Sequence, residues 1–134
     1  MSAKLVFRAC GHDKILATHK TTLEITKDKE VTPAGDCIVG IAADFDSGKL
    51  KDFVKKFRKV KITLKTGGLS EVIHAKTNPG FCDDRELVVR MGEHKSPRTF
   101  AVRADKSAKF LDREFVKALQ LGSPMEVCIE EAVE

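Results

Sequence analysis

Gly35-Asp36-Cys37-Ile38-Val39-Gly40-Ile41-Ala42-Ala43-Asp44 is the stretch from which we interpret the rest of the chain. Its uncharged middle contains several β-branched residues, which predicts a strand covered on both faces and therefore central to its sheet. A turn at residues 33–35 precedes this strand and delivers Asp36 and Cys37 side by side. A functional site could be built where these polar groups meet the strand.

Alternation of apolar and polar residues predicts about seven or eight short strands in all. In addition to the stretch above, strands are predicted at 4–10, 60–66, 69–76, 87–91, 99–103 and 125–129. The segment 15–25 is predicted to form one long strand or two. Gly67-Gly68 closes a hairpin, in which a two-residue turn pairs Ile62 with Ile73 and Leu64 with Glu71. Because the strands mostly follow one another, we expect mostly antiparallel pairs.

Two helices interrupt the strands. Apolar residues at i, i+3, i+4 and i+7 predict an amphipathic helix from Ser47 to Arg58, with Ser47 as its N-cap and the densest basic patch of the chain on its outer side. A second helix is marked by apolar residues from 111 to 119, with Asp112 capping its first turn and Gly122 its last. The expected fold class is therefore mainly β with two flanking α-helices.

Size and composition limit the class of protein. We expect the 134 residues to form a single domain, 1–134, with 42% hydrophobic and 33% charged residues. The absence of a long apolar segment argues against a membrane span, and the first residues lack a signal-peptide core, so we expect a soluble, cytoplasmic protein. A net charge of +4 favours anionic partners slightly.

Several segments together resemble an archaeal family of uncharacterised proteins, a domain of unknown function. They are His19-Lys20-Thr21-Thr22-Leu23-Glu24-Ile25-Thr26-Lys27-Asp28, Thr32-Pro33-x-Gly35-Asp36-Cys37-Ile38-Val39-Gly40, Gly11-His12, Asp84-Arg85-Glu86-Leu87 and Arg98-Thr99-Phe100-Ala101-Val102-Arg103-Ala104-Asp105-Lys106. The resemblance covers nearly the whole chain. It implies an antiparallel β-sandwich of jelly-roll type and brings no activity.

Polar residues in these segments are the candidate ligand-binding residues. They are His12, Thr21, Thr22, Asp84, Arg85, Arg103, Asp105 and Lys106. The arginine forks, with Arg98 and the basic helix, suit a small anionic ligand or RNA. The chain has no Trp or Tyr, and its Phe residues mostly have core spacing, so stacking platforms for bases are not evident. The alternative explanation for these charged residues is a set of surface ion pairs that hold loops.

Catalysis is the second functional hypothesis. Cys37 would be the nucleophile and His19 the base, with Asp36 or Asp84 orienting the histidine. The alternative is that Cys37 is simply a small apolar residue at the edge of a buried strand. Binding ranks slightly above catalysis, because no motif specifies a reaction.

A metal site is the weakest chemical hypothesis. Cys10, His12, His19 and Cys37 offer suitable ligand types, but they show no recognised ligand spacing, so we assign no metal ligands and leave the cofactor open. The four cysteines are scattered without a C-x-x-C pair, which fits reduced thiols better than disulfides. The oligomeric state is not predicted.

Overall fold

The structure, a computed structural model, describes residues 4–32 and 34–132. The strands are β1 (Lys4–Cys10), β2 (Thr22–Thr26), β3 (Ile38–Gly40), β4 (Lys59–Thr66), β5 (Leu69–Thr77), β6 (Glu86–Arg90), β7 (Thr99–Val102) and β8 (Pro124–Glu131). The helices are α1 (Ser47–Lys56) and α2 (Arg113–Gln120), and a 3-10 turn spans Ala108–Phe110. The predicted mainly β fold with two helices is confirmed.

All eight strands belong to one sheet, in the order β1-β8-β4-β5-β7-β6-β2-β3. The expectation of an antiparallel sheet is wrong at two places, because β2 pairs with β3 and β6 pairs with β7 in parallel. In each case the connecting loop crosses over, so that the second strand runs in the direction of the first. The sheet is therefore mixed, and the jelly-roll sandwich of two sheets is not confirmed.

The first and last strands of this order meet through a backbone bridge. The N–H of Cys10 donates to the carbonyl of Ile41 at 2.8 Å, and the N–H of Ile41 donates back at 2.9 Å. Strand pairing thus runs in a closed ring around the apolar core, as in a barrel. The predicted strand at 38–43 is shorter than expected and closes this ring instead of lying at its centre, although β3 is buried throughout as predicted.

The segment predicted as one or two strands at 15–25 is strand only from Thr22 onward. Residues before β2 form an irregular segment that contains Ala17 at a φ of 50°. Its carbonyls are held by α2, since Arg113 Nη2 donates to Ala17 O at 3.1 Å and Gln120 Nε2 donates to Ile15 O at 2.8 Å. Side chains of α2 take the place of a strand partner here.

The hairpin register predicted from the sequence is confirmed, with Ile62 opposite Ile73 and Leu64 opposite Glu71. This register buries Glu71 on the apolar side. Lys106 Nζ donates to its carboxylate at 2.8 Å, and the N–H of Asp112 donates to the second oxygen. The buried charge is therefore paired, and it helps to satisfy the first N–H groups of α2.

Both helices lie close to their predicted positions. The N-cap of α1 is Asp46, whose Oδ1 accepts from Lys49 N at 3.2 Å, and not Ser47 as predicted. The N-cap of α2 is Asp112 as predicted, and Gly122 follows α2 at a φ of 82°. Of the turn predicted at 33–35, Pro33 lies outside the described residues.

Candidate functional site

The outer face of β2 carries a buried polar site. Thr22, Glu24 and Thr26 lie on this face, opposite the core, and all three are buried. The segment before β3 covers one side, because the N–H of Glu24 donates to Cys37 O at 2.9 Å. The segment before β7 covers the other, because the N–H of Val88 donates to the carbonyl of Arg98 at 3.1 Å.

Five side chains with acidic, basic or thiol groups meet there, and we call them the Glu24 cluster: Glu24, Cys37, Glu86, Arg90 and Arg98. Arg98 Nη1 lies 3.5 Å from Glu24 Oε1 and 3.0 Å from Glu86 Oε2, so that one guanidinium bridges two carboxyl groups. Cys37 Sγ donates to Glu24 Oε1 at 3.7 Å. Arg90 Nε donates to Thr99 Oγ1 at 3.0 Å.

Burial raises the pKa of the Glu24 carboxyl from 4.5 to about 8. The hydrogen bond with Glu86 and the charge of that residue act in the same direction, whereas Arg98 and the Cys37 thiol oppose the shift. A carboxyl with this pKa is protonated at neutral pH. Glu24 can then donate a hydrogen bond, and a perturbed pKa of this kind in a polar cluster is typical of functional sites.

The environment of Cys37 opposes the nucleophile hypothesis. Burial, together with the neighbouring acidic side chains of Glu24 and Asp36, raises the pKa of its thiol to about 12. A nucleophilic cysteine needs a lowered pKa, usually from a cationic neighbour or an adjacent base. Cys37 is therefore a neutral thiol that donates to a carboxyl group.

The backbones of His19 and Asp36 meet next to Cys37, but the three side chains do not form the predicted catalytic arrangement. The carbonyl of Asp36 accepts the N–H of His19 at 3.3 Å. The Nδ1 of His19 accepts the N–H groups of Thr21 and Thr22 at 3.2 and 3.0 Å. Because Nδ1 is an acceptor, the neutral ring carries its proton on Nε2. Among the described residues, no hydrogen bond links the imidazole to the thiol, and the catalytic roles stay a prediction.

The three remaining polar residues near the start of the chain are backbone-supporting groups in this structure. His12 Nδ1 accepts the N–H of Lys14 at 3.0 Å. Thr21 O accepts the N–H of Met91 at 2.8 Å, and the hydroxyl groups of Thr21 and Thr22 lie 3.5 Å apart. These contacts fix the loop that leads into β2.

The charged residues predicted to bind a ligand each contact a separate partner, which is a side chain of opposite charge or, for Asp105, a histidine. The pairs are Asp84 with Lys51, Arg85 with Asp28, Arg103 with Glu93, Asp105 with His74, and Lys106 with Glu71. The hydrogen bond from Lys51 lowers the pKa of Asp84. Their geometry agrees with loop-holding ion pairs, and it does not collect these side chains at one site. Their role in ligand binding stays a prediction.

A second surface feature is a basic furrow between β1 and α1. Three cavities of about 400, 180 and 340 Å³ follow one another and share lining residues, Leu5 with Lys49 and then Lys56 with Phe57. The cationic residues that line them are Lys4, Arg8, Lys49, Lys56, Arg58 and Lys59, and the acidic ones are Asp44, Asp46, Asp52 and Glu131. Two of these acids accept hydrogen bonds from the backbone. Asp44 Oδ1 accepts from the N–H of Arg8, and Asp46 Oδ1 accepts from the N–H of Lys49.

No group of three or more His, Cys, Asp or Glu side chains within residues 4–32 and 34–132 is arranged to hold a metal ion. No helix in that part of the chain is long and apolar enough to cross a membrane.

Sequence reasoning missed Glu24, Glu86 and Arg90 as members of a site. Alternation places Glu24 on the polar side of its strand, which would ordinarily face solvent. Glu24 and Glu86 do lie within the segments that carry the family resemblance, and this was the available signal. Their burial could not be read locally, because it depends on two segments distant in the chain.

We expect Cys37 to react with iodoacetamide at pH 7 on the order of a hundredfold more slowly than exposed Cys82, because burial and a raised pKa both deplete its thiolate. Peptide mass spectrometry after timed quenching measures both rates in one sample. Cys82 is an internal control for reagent quality. Labelling of Cys37 faster than Cys82 would contradict this prediction and revive the nucleophile hypothesis.

These features define a mainly β protein with a mixed eight-stranded sheet, a buried carboxyl–arginine cluster and a basic furrow. The chain belongs to the family described as "Domain of unknown function (DUF371)", which matches residues 7–132. It is 34% identical over 128 residues to a protein described as "Uncharacterized protein MJ0206" from Methanocaldococcus jannaschii, covering 91% of this chain and 95% of that protein. The predicted membership of an uncharacterised family with an archaeal relative is confirmed, and no specific function comes with it.

Proposed function

We propose that this protein binds single-stranded RNA along the basic furrow between β1 and α1. The observation that carries the proposal is that three cavities share lining residues along one helix and are lined by six cationic side chains against four acidic ones. The ten residues of α1 span about 15 Å, long enough for an extended strand to place more than one phosphate against the furrow. A row of cations suits a repeating anion better than a single one.

The cations of the furrow include side chains that are available to a ligand. Lys49 and Lys56 are exposed on α1, and neither has an acidic partner within ion-pair distance among the described residues. This distinguishes them from Lys51, which pairs with Asp84 at 2.7 Å. Phosphate contacts by such lysines release counterions, which supports binding that is independent of base sequence.

Phe57 supports the choice of a nucleic acid over other anions. Its ring is partly exposed, lines two of the three cavities and stands between Lys56 and Arg58. The ring also packs on Phe53 with a centroid distance of 4.9 Å, which anchors it to the core. A fixed aromatic ring that lines the same cavity as two cations is suited to stacking on a base while the cations contact phosphates.

Replacing Lys49 and Lys56 together by Gln is expected to weaken binding of an oligouridylate of about 12 nucleotides roughly tenfold or more. The plot of log K against log salt concentration should lose about 1.4 of its slope, since each phosphate contact to a single strand contributes about 0.7. Fluorescence anisotropy over a salt series measures both quantities. Gln has nearly the helix propensity of Lys, so α1 should remain folded.

The matched control replaces Lys14 and Lys95, two exposed lysines outside the furrow, by Gln. It removes the same charge and should leave affinity and salt slope nearly unchanged. Equal losses in both double variants would contradict a localised site. Uridine monophosphate bound as tightly as the oligonucleotide would contradict strand binding and favour a small anionic ligand instead.

A further inference from the structure

Arg90 differs from the other charged members of the Glu24 cluster because its charge is not matched. Arg98 lies within ion-pair distance of Glu24 and Glu86, whereas Arg90 has no acidic partner within that distance in the described parts of the chain. Its Nε donates to Thr99 Oγ1, which also lies 3.0 Å from Ser96 Oγ. The described residues offer no further hydrogen-bond partner to the two terminal nitrogens of Arg90.

The side chain of Arg90 is partly buried despite this unmatched charge. Burial lowers the pKa of its guanidinium, and repulsion from Arg98 lowers it further. Arg90 Nε donates to the hydroxyl of Thr99, the residue that follows Arg98, so the two arginines lie beside each other. A partly buried cation gains from an anion that replaces its lost hydration. The cluster is also accessible, because the side chain of Arg98 is 46% exposed and that of Glu86 is 29% exposed.

We propose that Arg90 and Arg98 form a binding site for a small oxyanion, of the phosphate, sulfate or carboxylate class, on the outer face of β2 and β6. The planar guanidinium fork presents parallel N–H donors that match two oxygens of such an anion. The hydroxyl-anchored Nε of Arg90 holds the fork in place. This site is separate from the furrow, and it does not depend on RNA binding.

The charges around Glu24 make oxyanion binding dependent on pH. The groups that face Glu24 are Glu86 from β6, Arg98 from the segment before β7 and Cys37 from the segment before β3. Arg90 lies beside this set and interacts electrostatically with Cys37 and Glu24. With Glu24 and the thiol neutral, two guanidinium groups face one carboxylate, which leaves one positive charge for the ligand. Ionisation of Glu24 cancels that charge.

Affinity should therefore fall as the pH rises through the pKa of Glu24, which is about 8. If only the protonated form binds, the apparent affinity follows the protonated fraction and drops about tenfold from one pH unit below this value to one unit above it. Sulfate is the appropriate probe, because its own charge is constant over this range. Glu24→Gln should keep the high affinity and lose the pH dependence.

Titration of sulfate at low ionic strength, followed by calorimetry and by NMR of the arginine Nε–H groups, tests the site. We expect saturable binding at one sulfate per chain and a loss of at least tenfold in Arg90→Gln. Arg90→Lys keeps the charge but removes the fork and should also bind more weakly, which covers the case in which the Gln variant folds poorly. Arg58→Gln removes an exposed arginine of the separate furrow and should bind sulfate as wild type does.

Two results would overturn the proposal. One is sulfate binding that is equal in wild type, Arg90→Gln and Arg90→Lys, and the other is an absence of saturable binding at any pH in this range. The double variant of Lys49 and Lys56 should bind sulfate as wild type does. If this double variant no longer bound RNA, the oxyanion site would still be intact. The two proposals can therefore fail separately.

Discussion

Glu24→Gln is expected to abolish a decline in stability that the wild-type protein shows as the pH rises from about 4.5 to about 8. In the folded protein the buried carboxyl keeps its proton up to about pH 8, whereas in the unfolded chain it ionises near 4.5. Between these values the folded state binds the extra proton, so the free energy of unfolding falls as the pH rises. The contribution is complete below 4.5 and is lost above 8.

Each unit of pKa difference corresponds to about 1.4 kcal/mol, so the window from 4.5 to about 8 sets an upper bound of about 5 kcal/mol. Solvent screening of this partly exposed cluster reduces the expected loss to the order of 3 kcal/mol. Gln has the volume of Glu and can donate to Glu86 at every pH, which makes it a mimic of the protonated acid. Above pH 8 the Gln variant should therefore be more stable than wild type. Below pH 5 the two should have similar stability.

Urea denaturation at a series of pH values measures this effect as the difference between wild type and variant. The control is Glu30→Gln, which neutralises an exposed acid. Its curve of unfolding free energy against pH should run nearly parallel to that of wild type. If the Glu24→Gln curve also ran parallel to wild type, a protonated Glu24 would be ruled out. The pH dependence proposed for oxyanion binding would then lose its basis.

Gly11→Ala is expected to destabilise the protein by about 3 kcal/mol or more, the cost of severe overpacking against backbone. A Cβ atom at this position would lie 1.9 Å from the carbonyl oxygen of Leu119 and 2.6 Å from its carbonyl carbon. These are backbone atoms of α2, so no side-chain rotation can relieve the contact. The whole end of α2 would have to move.

Such a movement would break backbone contacts on both sides of Gly11. The N–H of Gly11 donates to Ser123 O at 2.8 Å, just beyond α2, while the preceding residue, Cys10, makes the bridge to Ile41 that closes the ring of strands. We therefore expect Gly11→Ala to loosen α2 and the junction of β1 with β3 together. Hydrogen exchange should show faster exchange in both segments.

Gly92→Ala is the matched control, because no atom lies within 4 Å of the Cβ it would add. It should change the free energy of unfolding by less than about 1 kcal/mol, and in the stabilising direction if the unfolded chain loses entropy. Denaturant midpoints of the two variants give the comparison. Similar midpoints would mean that α2 does not approach Gly11 as closely as the structure has it.

Local patterns predicted the hairpin and the second helix accurately. The Gly67-Gly68 turn sets the pairing of β4 with β5, because a two-residue turn leaves only one register and alternation then chooses the buried face. The 3.6-residue period and an aspartate cap set α2 in the same way. In both cases the information lies within about 20 residues of the chain, where sequence alone can be read.

Patterns were less successful where a segment obtains its partners from a distance. Residues 15–21 alternate like a strand, yet side chains of α2 bind their carbonyls and no strand partner is formed. The apolar stretch at 38–43 was correctly predicted to be buried, but its place at the closure of the ring depends on Cys10. The apolar composition of a segment predicts that it is buried, but it does not predict which other segment covers it.

The sequence by itself determined the mainly β class, the two helices, the hairpin register and the membership of an uncharacterised family. Each of these depends on local periodicity or on a run of consecutive residues. Only the tertiary structure decided the mixed sheet and the meeting of Glu24, Glu86, Arg90 and Arg98. The physical reason is that burial and electrostatic coupling act through space. Glu24 is a protonated acid because segments more than ten residues away along the chain bury it. The sequence of its own strand does not predict this burial.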